Sequence, residues 1–136
     1  MTRKRLAIIA TKGTLDWAYP PLILSSTAAA MDYDVQVFCT FYGLSLLRKD
    51  ISDIRISPLA NPAMPMPMPM PVTLRMLPGM EAMATSMMKA KMKKKGVATL
   101  EELRSLCLEA EVKFIACQMT VDLFDYQKSD FIDGIE

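Results

Sequence analysis

Cys117 is the residue whose type and position point most directly to chemistry. It follows a short apolar run of strand type, residues 112–116, and precedes a helix-like segment at residues 120–125. In an open α/β sheet, ligands and reactive groups collect at the carboxyl ends of the strands. The dipole and free N–H groups of a following helix lower the pKa of a thiol at such an end. We therefore predict that Cys117 is the working residue, with a buried structural cysteine as the alternative interpretation.

The absence of histidine from the sequence limits how a thiol could be activated. Without histidine, Ser-His-Asp and Cys-His nucleophiles and His-ligated zinc are excluded. The three cysteines, Cys39, Cys107 and Cys117, form no CxxC pair, and their odd number is typical of free thiols in a reducing compartment. An activated thiol in this chain must rely on dipoles, lysine, backbone N–H groups or a hydroxyl.

The strands that would position these residues are short apolar runs at residues 5–11, 34–40 and 112–116, with a further short strand expected at 54–56. A helix at about residues 15–31, either kinked or beginning at Pro20-Pro21, separates the first two strands. This alternation predicts an α/β fold. We expect one domain, a mostly parallel sheet flanked by helices on both faces, in a flavodoxin- or Rossmann-like three-layer sandwich.

The ends of these strands would meet at one edge of a parallel sheet and form a pocket beside Cys117. Lys12 and the N–H groups of Gly13 and Thr14 could hold an anion there or favour a thiolate. The glycine spacing matches neither GxGxxG nor GxxxxGK[ST], so we expect no bound cofactor. The chemistry that remains is reversible: a persulfide or thiosulfonate on Cys117, passed on by thiol attack. The expected pocket residues are Thr11, Lys12, Gly13, Thr14, Thr40, Tyr42 and Gln118.

The later part of the chain contains a Met/Pro strap (residues 58–71) and two predicted helices. Alternating proline forbids helix and internal sheet, so we expect the strap to be an extended apolar lid or subunit contact. Cu(I) binding by its methionines is a minor alternative, and we predict no metal site. One helix is expected at residues 80–95, and a capping box at residues 99–102 opens the other. Leu103, Leu106 and Cys107 share a face of that second helix, which predicts a core-facing Cys107.

The overall composition indicates a soluble globular chain. The 136 residues are 51% hydrophobic and 23% charged, which suits one domain with a hydrophobic core. A net charge of +1 gives no reason to expect nucleic acid or an anionic membrane as the main partner. No apolar run approaches the ~18 residues of a membrane span, and the apolar run after the basic start is too short for a signal peptide. We expect a cytoplasmic protein.

With this pattern in view, the chain resembles the DsrE/DsrF-like family, and within it the sulfurtransferase branch found beside TusA-like and rhodanese-like proteins. The matching stretches occur in order over nearly the whole chain. They are KGTLD (12–16), AYPP (18–21), FYGL (41–44), NPAMPMP (61–67), LPGM (77–80) and ACQMT (116–120). The resemblance implies an α/β sheet between helices, a homo-oligomer, and cytoplasmic sulfur relay through a cysteine persulfide on Cys117.

The resemblance also implies partners and some differences. It suggests sulfur transfer to or from a TusA-like carrier, with a rhodanese-like protein as a further partner. A second cysteine takes part in some relatives, and Cys107 or Cys39 could take that role here. Some relatives carry membrane helices, which this sequence lacks, and relatives tend to continue past the equivalent of Glu136, so the chain is expected to be clipped or to end differently. The alternative function is a non-catalytic binding module in which Cys117 is a redox sensor.

Overall fold

The computed structural model describes residues 2–55 and 78–136. The strands are β1 (Arg5–Ala10), β2 (Asp34–Cys39) and β3 (Lys113–Ala116). The helices are α1 (Leu15–Ala30), α2 (Met80–Lys94), α3 (Leu100–Glu109) and α4 (Gln118–Leu123), with 3-10 helices η1 (Phe41–Leu47) and η2 (Lys128–Asp130). The Met/Pro strap lies outside the described residues.

The three strands form one parallel sheet in the order β1-β2-β3. Each strand in this order lies on the same side of the one before it, so right-handed crossovers place the connecting helices on the same face of the sheet. Accordingly, the side chains of Val37, Cys39 and Phe114 are buried in one core with α1 and α3. On the opposite face, Ile9 is 70% exposed and Phe38 is 38% exposed. The predicted α/β fold with a parallel sheet is confirmed.

Helix α1 begins at Leu15 and runs through Pro20 and Pro21 without ending, in agreement with the predicted extent. Its buried residues recur every three or four positions, so a single stripe of the helix packs on the sheet. These residues are Leu15, Ala18, Pro21, Leu22, Ser25 and Ala28.

The predicted capping box at the start of α3 is confirmed. The N–H of Glu102 donates to Thr99 Oγ1 over 3.2 Å, and the N–H of Thr99 donates to Glu102 Oε2 over 3.3 Å. The prediction that Leu106 shares the buried face with Cys107 is wrong, because Leu106 is 51% exposed. The buried face instead joins Leu100, Arg104 and Cys107, which lie four and seven positions apart on one side of the helix.

Arg104 is buried because its guanidinium is surrounded by backbone carbonyls at the end of η1. It donates to the carbonyls of Leu46 over 2.8 Å, Arg48 over 2.5 Å and Lys49 over 3.2 Å. A buried charge is tolerated only when its donors are satisfied in this way. Arg104 therefore ties α3 to η1.

The predicted short strand at residues 54–56 does not form in the part of it that the structure describes. Ile54 and Arg55 lie outside the strands, and Ile56 is not among the described residues. The carbonyl of Arg55 instead accepts the N–H of Leu15 over 2.6 Å. This carbonyl is therefore paired with the start of α1 and not with a neighbouring strand.

The tail after α4 packs back onto the sheet and η1. Phe131 is buried and forms an antiparallel bridge with Arg48. The N–H of Glu136 donates to the carbonyl of Phe114 over 3.1 Å, and the N–H of Ala116 donates to the carbonyl of Glu136 over 2.8 Å. The outer edge of β3 is therefore paired at this point.

Within residues 2–55 and 78–136, no helix combines the length and the apolar character that crossing a membrane requires.

Candidate functional site

The carboxyl ends of the three strands meet at one edge of the sheet, as the sequence predicts. Ala10 is in register with Cys39, and Cys39 is in register with Ala116. Beyond the strands, the N–H of Cys117 donates to the carbonyl of Cys39 over 2.9 Å. The residue after β2, Thr40, is thereby brought next to Cys117, from which it is separated by more than seventy positions in the chain.

Cys117 is a half-buried residue at the N-cap of α4. The pKa of its thiol lies below the ordinary value; the hydroxyl and N–H of Thr120 lower it most, followed by the Thr40 hydroxyl, while desolvation raises it. The O–H and N–H dipoles near the sulfur favour the thiolate, and the Thr120 N–H itself donates to the Cys117 carbonyl over 3.1 Å. Because α4 has only six residues, these local donors account for the effect better than a long helix dipole.

Thr120 was not selected from the sequence, although it lowers the pKa of the Cys117 thiol more than any other residue. It is fully buried, and its Oγ1 lies 3.1 Å from Thr40 Oγ1. The same oxygen accepts the N–H of Phe41 over 3.2 Å. The signal that could have found it is its position three residues after the N-cap, from which side chains commonly reach back to the helix start.

The turn that carries Phe41 is held close to the end of β1. Phe41 has a left-handed backbone with a φ of 48°, a conformation that costs energy in a residue other than glycine. A Cβ on Gly43 would collide with the carbonyl of Ala10, and a Cβ on Gly13 would collide with the carbonyl of Tyr42. Both glycines are therefore needed for the close approach that aims the Phe41 N–H at Thr120.

The structure places Lys12 against an aromatic ring. Its ammonium lies 3.9 Å from the centroid of the Trp17 ring, a cation–π contact. Lys12 follows β1 and Cys117 follows β3, so the end of β2 stands between them. Of the predicted pocket, Thr40 lies beside Cys117 and lowers the pKa of its thiol, whereas the segment from Thr11 to Thr14 follows β1, on the other side of β2.

Tyr42 and Gln118 flank the site on its exposed side. The Tyr42 ring stacks on Phe124, with centroids 5.8 Å apart, and is 66% exposed. Gln118 Nε2 donates to Asp122 Oδ1 over 2.8 Å, within α4. With Met119 and Leu123, which are also exposed, these side chains give α4 and the turn after β2 an outer surface of apolar and amide groups.

Comparison with known proteins identifies the family. The family model described as "DsrE/DsrF/DrsH-like family" matches residues 2–136. This chain belongs to the DsrE/DsrF/DrsH-like family.

Two relatives are similar to this chain over nearly its whole length. The chain is 66% identical over 140 residues to "Sulfur carrier protein DsrE2" of Allochromatium vinosum, a match that covers 100% of this chain and 87% of that protein. It is 32% identical over 137 residues to "Uncharacterized protein YrkE" of Bacillus subtilis, covering 98% of this chain and 84% of that protein. The resemblance to the DsrE/DsrF-like family noted in the sequence is confirmed.

In this DsrE/DsrF/DrsH-like chain the other two cysteines have environments unlike that of Cys117. Cys39 is fully buried, and burial raises the pKa of its thiol to about 12. Cys107 is also fully buried; its pKa is raised to about 11, and its Sγ donates to the carbonyl of Leu22 over 3.4 Å. Cys107 faces the core as predicted, and both thiols lack the access that reactivity needs.

Among the residues that the structure describes, no group of three or more cysteine, aspartate or glutamate side chains could hold a metal ion. The methionines considered as Cu(I) ligands, Met64, Met66, Met68 and Met70, lie outside that part of the chain.

Proposed function

We propose that this protein is a sulfur carrier that holds sulfane sulfur on Cys117 and passes it to the thiol of a partner protein. The observation that supports this most directly is the contrast among its three cysteines. Cys117 is partly accessible and the pKa of its thiol is lowered by neighbouring hydroxyl and N–H groups, whereas Cys39 and Cys107 are buried with raised pKa values. The name of the Allochromatium vinosum relative, a sulfur carrier protein, points in the same direction.

The chemistry of loading needs only a thiolate and a sulfane donor. The Cys117 sulfur attacks the outer sulfur of a donor persulfide and forms a new S–S bond. The donor's S–S bond breaks, and its electron pair leaves with the donor thiolate. Cys117 then carries a persulfide. Because one S–S bond is exchanged for another, no external oxidant or reductant is required.

We also propose the finer features of this role. The partners would be a TusA-like carrier and a rhodanese-like protein, the assembly a homo-oligomer, and the location the cytoplasm. Exposed apolar side chains near Cys117, among them Tyr42, Met119 and Leu123, provide a surface on which a partner protein could rest. Lys12 would add positive charge to the same edge of the sheet, and residues 1–136 would form a single domain.

The proposal is tested by intact mass spectrometry after incubation with polysulfide, thiosulfate or tetrathionate. Wild type is expected to gain sulfur or thiosulfonate adducts that disappear in Cys117→Ser. The matched controls Cys39→Ser and Cys107→Ser are expected to keep them, since those thiols are buried. Adducts that persist without Cys117, or no adduct on wild type, would contradict a carrier role and favour the redox-sensor alternative.

Transfer to a partner is tested separately. Loaded wild type is mixed with a purified TusA-like protein, and the masses of both proteins are followed with time. Movement of the sulfur adduct to the TusA-like protein is expected. An adduct that stays on Cys117 while small thiols remove it readily would contradict this choice of partner.

A further inference from the structure

We propose that the hydroxyl groups of Thr120 and Thr40 are catalytic hydrogen-bond donors that stabilise the Cys117 sulfur as it leaves, and so promote delivery of sulfur rather than its uptake. This inference rests on the proposed function of Cys117 as a sulfur carrier. It assigns a role to two threonines that come from distant parts of the chain.

The first support is the arrangement of the two hydroxyls. The backbone places both threonines beside Cys117, since the Cys117 N–H donates to the carbonyl of Cys39, the residue before Thr40, over 2.9 Å and the Cys117 carbonyl accepts the Thr120 N–H over 3.1 Å. The Oγ1 atoms of Thr120 and Thr40 lie 3.1 Å apart, and both hydroxyls lower the pKa of the Cys117 thiol. A hydroxyl has one proton to donate and two lone pairs that can accept. The two residues can therefore present two protons to a negatively charged sulfur, or share them when the sulfur is neutral.

The second support is the Phe41 N–H, which orients Thr120. It donates to Thr120 Oγ1 over 3.2 Å and so occupies one of the lone pairs of that oxygen. The hydroxyl proton of Thr120 then points away from Phe41, toward the sulfur or Thr40. Thr120 is 0% exposed, so water does not compete for this proton.

The backbone of Phe41 is strained in the conformation that keeps this orientation. Phe41 keeps a left-handed φ of 48°, and Gly43 packs against the carbonyl of Ala10 where any larger residue would collide. Strain of this kind persists only where surrounding structure holds it in place, and it is concentrated at functional sites. The turn therefore acts as a rigid support for the hydroxyl pair.

The chemistry of release explains why donors at this atom matter. In the loaded state, Cys117 carries a persulfide, in which the ionisable outer sulfur is bonded directly to the Cys117 Sγ. An acceptor thiolate attacks the outer sulfur and forms a new S–S bond with it. The original S–S bond breaks, and its electron pair goes to Sγ, which becomes a thiolate.

Charge on Sγ grows only as the bond breaks, so hydrogen bonds to Sγ are stronger in the transition state than in the loaded protein. Interactions of that kind accelerate a step. Loading is different, because the same hydrogen bonds stabilise the attacking thiolate and lower its nucleophilicity, while a thiol of low pKa leaves faster. The hydroxyl pair thus favours release.

The test compares loading and release in the full chain with four proteins: wild type, Thr120→Val, Thr120→Ser and Thr40→Val. Each is loaded with a persulfide donor, freed of excess donor and mixed with N-acetylcysteine as the acceptor thiol. Intact mass spectrometry follows loss of the adduct from Cys117. A parallel alkylation profile against pH gives the thiolate fraction, so that loading rates can be expressed per thiolate.

Loss of a hydrogen bond to a charged group corresponds to a rate decrease of about tenfold or more. Thr120→Val is therefore expected to slow release by about that factor, with loading per thiolate unchanged or faster. Thr120→Ser keeps the hydroxyl and should stay close to wild type. Thr40→Val leaves the contact between Phe41 and Thr120 intact, so it tests the same idea even if Thr120→Val is poorly folded.

The outcomes separate this inference from the carrier role. If wild type and variants load fully but release sulfur at equal rates, the inference is overturned and the carrier role stands. Equal slowing of loading per thiolate and of release would indicate a merely structural effect and would also overturn it. If wild type takes up no sulfur on Cys117, the proposed function fails, and this inference fails with it.

Discussion

At the scale of single residues, the three cysteines differ in the groups that surround their thiols. The pKa of the Cys117 thiol is lowered, first by the hydroxyl and N–H of Thr120 and then by the Thr40 hydroxyl. Cys39 lies on the neighbouring strand, yet its thiol is enclosed in the core and its pKa is raised to about 12. The same functional group, at the ends of two neighbouring strands, therefore has a lowered pKa in one place and a raised pKa in the other.

We expect iodoacetamide to alkylate Cys117 in the native protein with a pH midpoint below that of the same thiol in the urea-unfolded chain. The reason is that the Thr120 hydroxyl and its neighbours stabilise the thiolate only in the folded state. Peptide mapping after alkylation assigns the modified cysteine, and Cys107→Ser is the control that should leave the midpoint unchanged. Equal midpoints in the folded and unfolded chains would show that the thiol is not activated.

At the scale of secondary-structure elements, η1 links the core to the site. Its first residue, Phe41, donates to Thr120, and its last turn is held by Arg104 from α3. Thr40 reaches Cys117 because β2 and β3 are parallel neighbours in register. The element that positions the thiol's donors is therefore anchored at both ends, by a glycine contact to β1 and by a buried arginine.

Arg104→Met is expected to destabilise the protein by about 3 kcal/mol, because it leaves buried backbone carbonyls without their donor. Urea denaturation followed by circular dichroism measures the change. Arg5→Met is the matched control: Arg5 is exposed, with only a 3.6 Å ion pair to Asp34, so its loss should cost less than about 1 kcal/mol. Similar costs for both variants would refute a structural role for the Arg104 contacts.

At the scale of the whole molecule, stability at high pH is coupled to a buried thiol. The folded protein keeps the Cys39 proton up to about pH 12, whereas the ordinary thiol value is 9.0. Because the folded pKa is the higher one, the stability that the protonated thiol contributes is fully present below pH 9.0 and is lost as the pH rises toward about 12.

We expect the free energy of unfolding to fall by about 1.4 kcal/mol per pH unit over this window on account of Cys39 alone. Cys39→Ala removes the ionisable group, so the difference in stability between wild type and variant should shrink as the pH rises above 9.0. Urea denaturation at several pH values gives this difference. A difference that stays constant would show that folding does not raise the pKa of Cys39.

Much of the fold and part of the site could be predicted from the sequence. Apolar runs, crossover helices and the Thr99 capping box identify the parallel α/β sheet, since these are local patterns that report on burial and helix ends. The end of β3 places Cys117 at the edge of the sheet for the same reason, and its role there stays a prediction. The prediction that Leu106 lies on the buried face of α3 was wrong, because Arg104 lies on that face. Composition alone assigns a buried position to an apolar residue, but an arginine can occupy it when backbone carbonyls accept its hydrogen bonds.

The sequence by itself determined the strand ends, the absence of histidine and the candidate thiol. Only the tertiary structure decided what surrounds that thiol. Thr120, which lowers the pKa of the thiol most, accepts the N–H of Phe41 in a left-handed turn, and the ammonium of Lys12 lies over the Trp17 ring. Side-chain direction and hydrogen-bond pairing depend on atoms that are distant in the chain and close in space, which local sequence patterns do not encode.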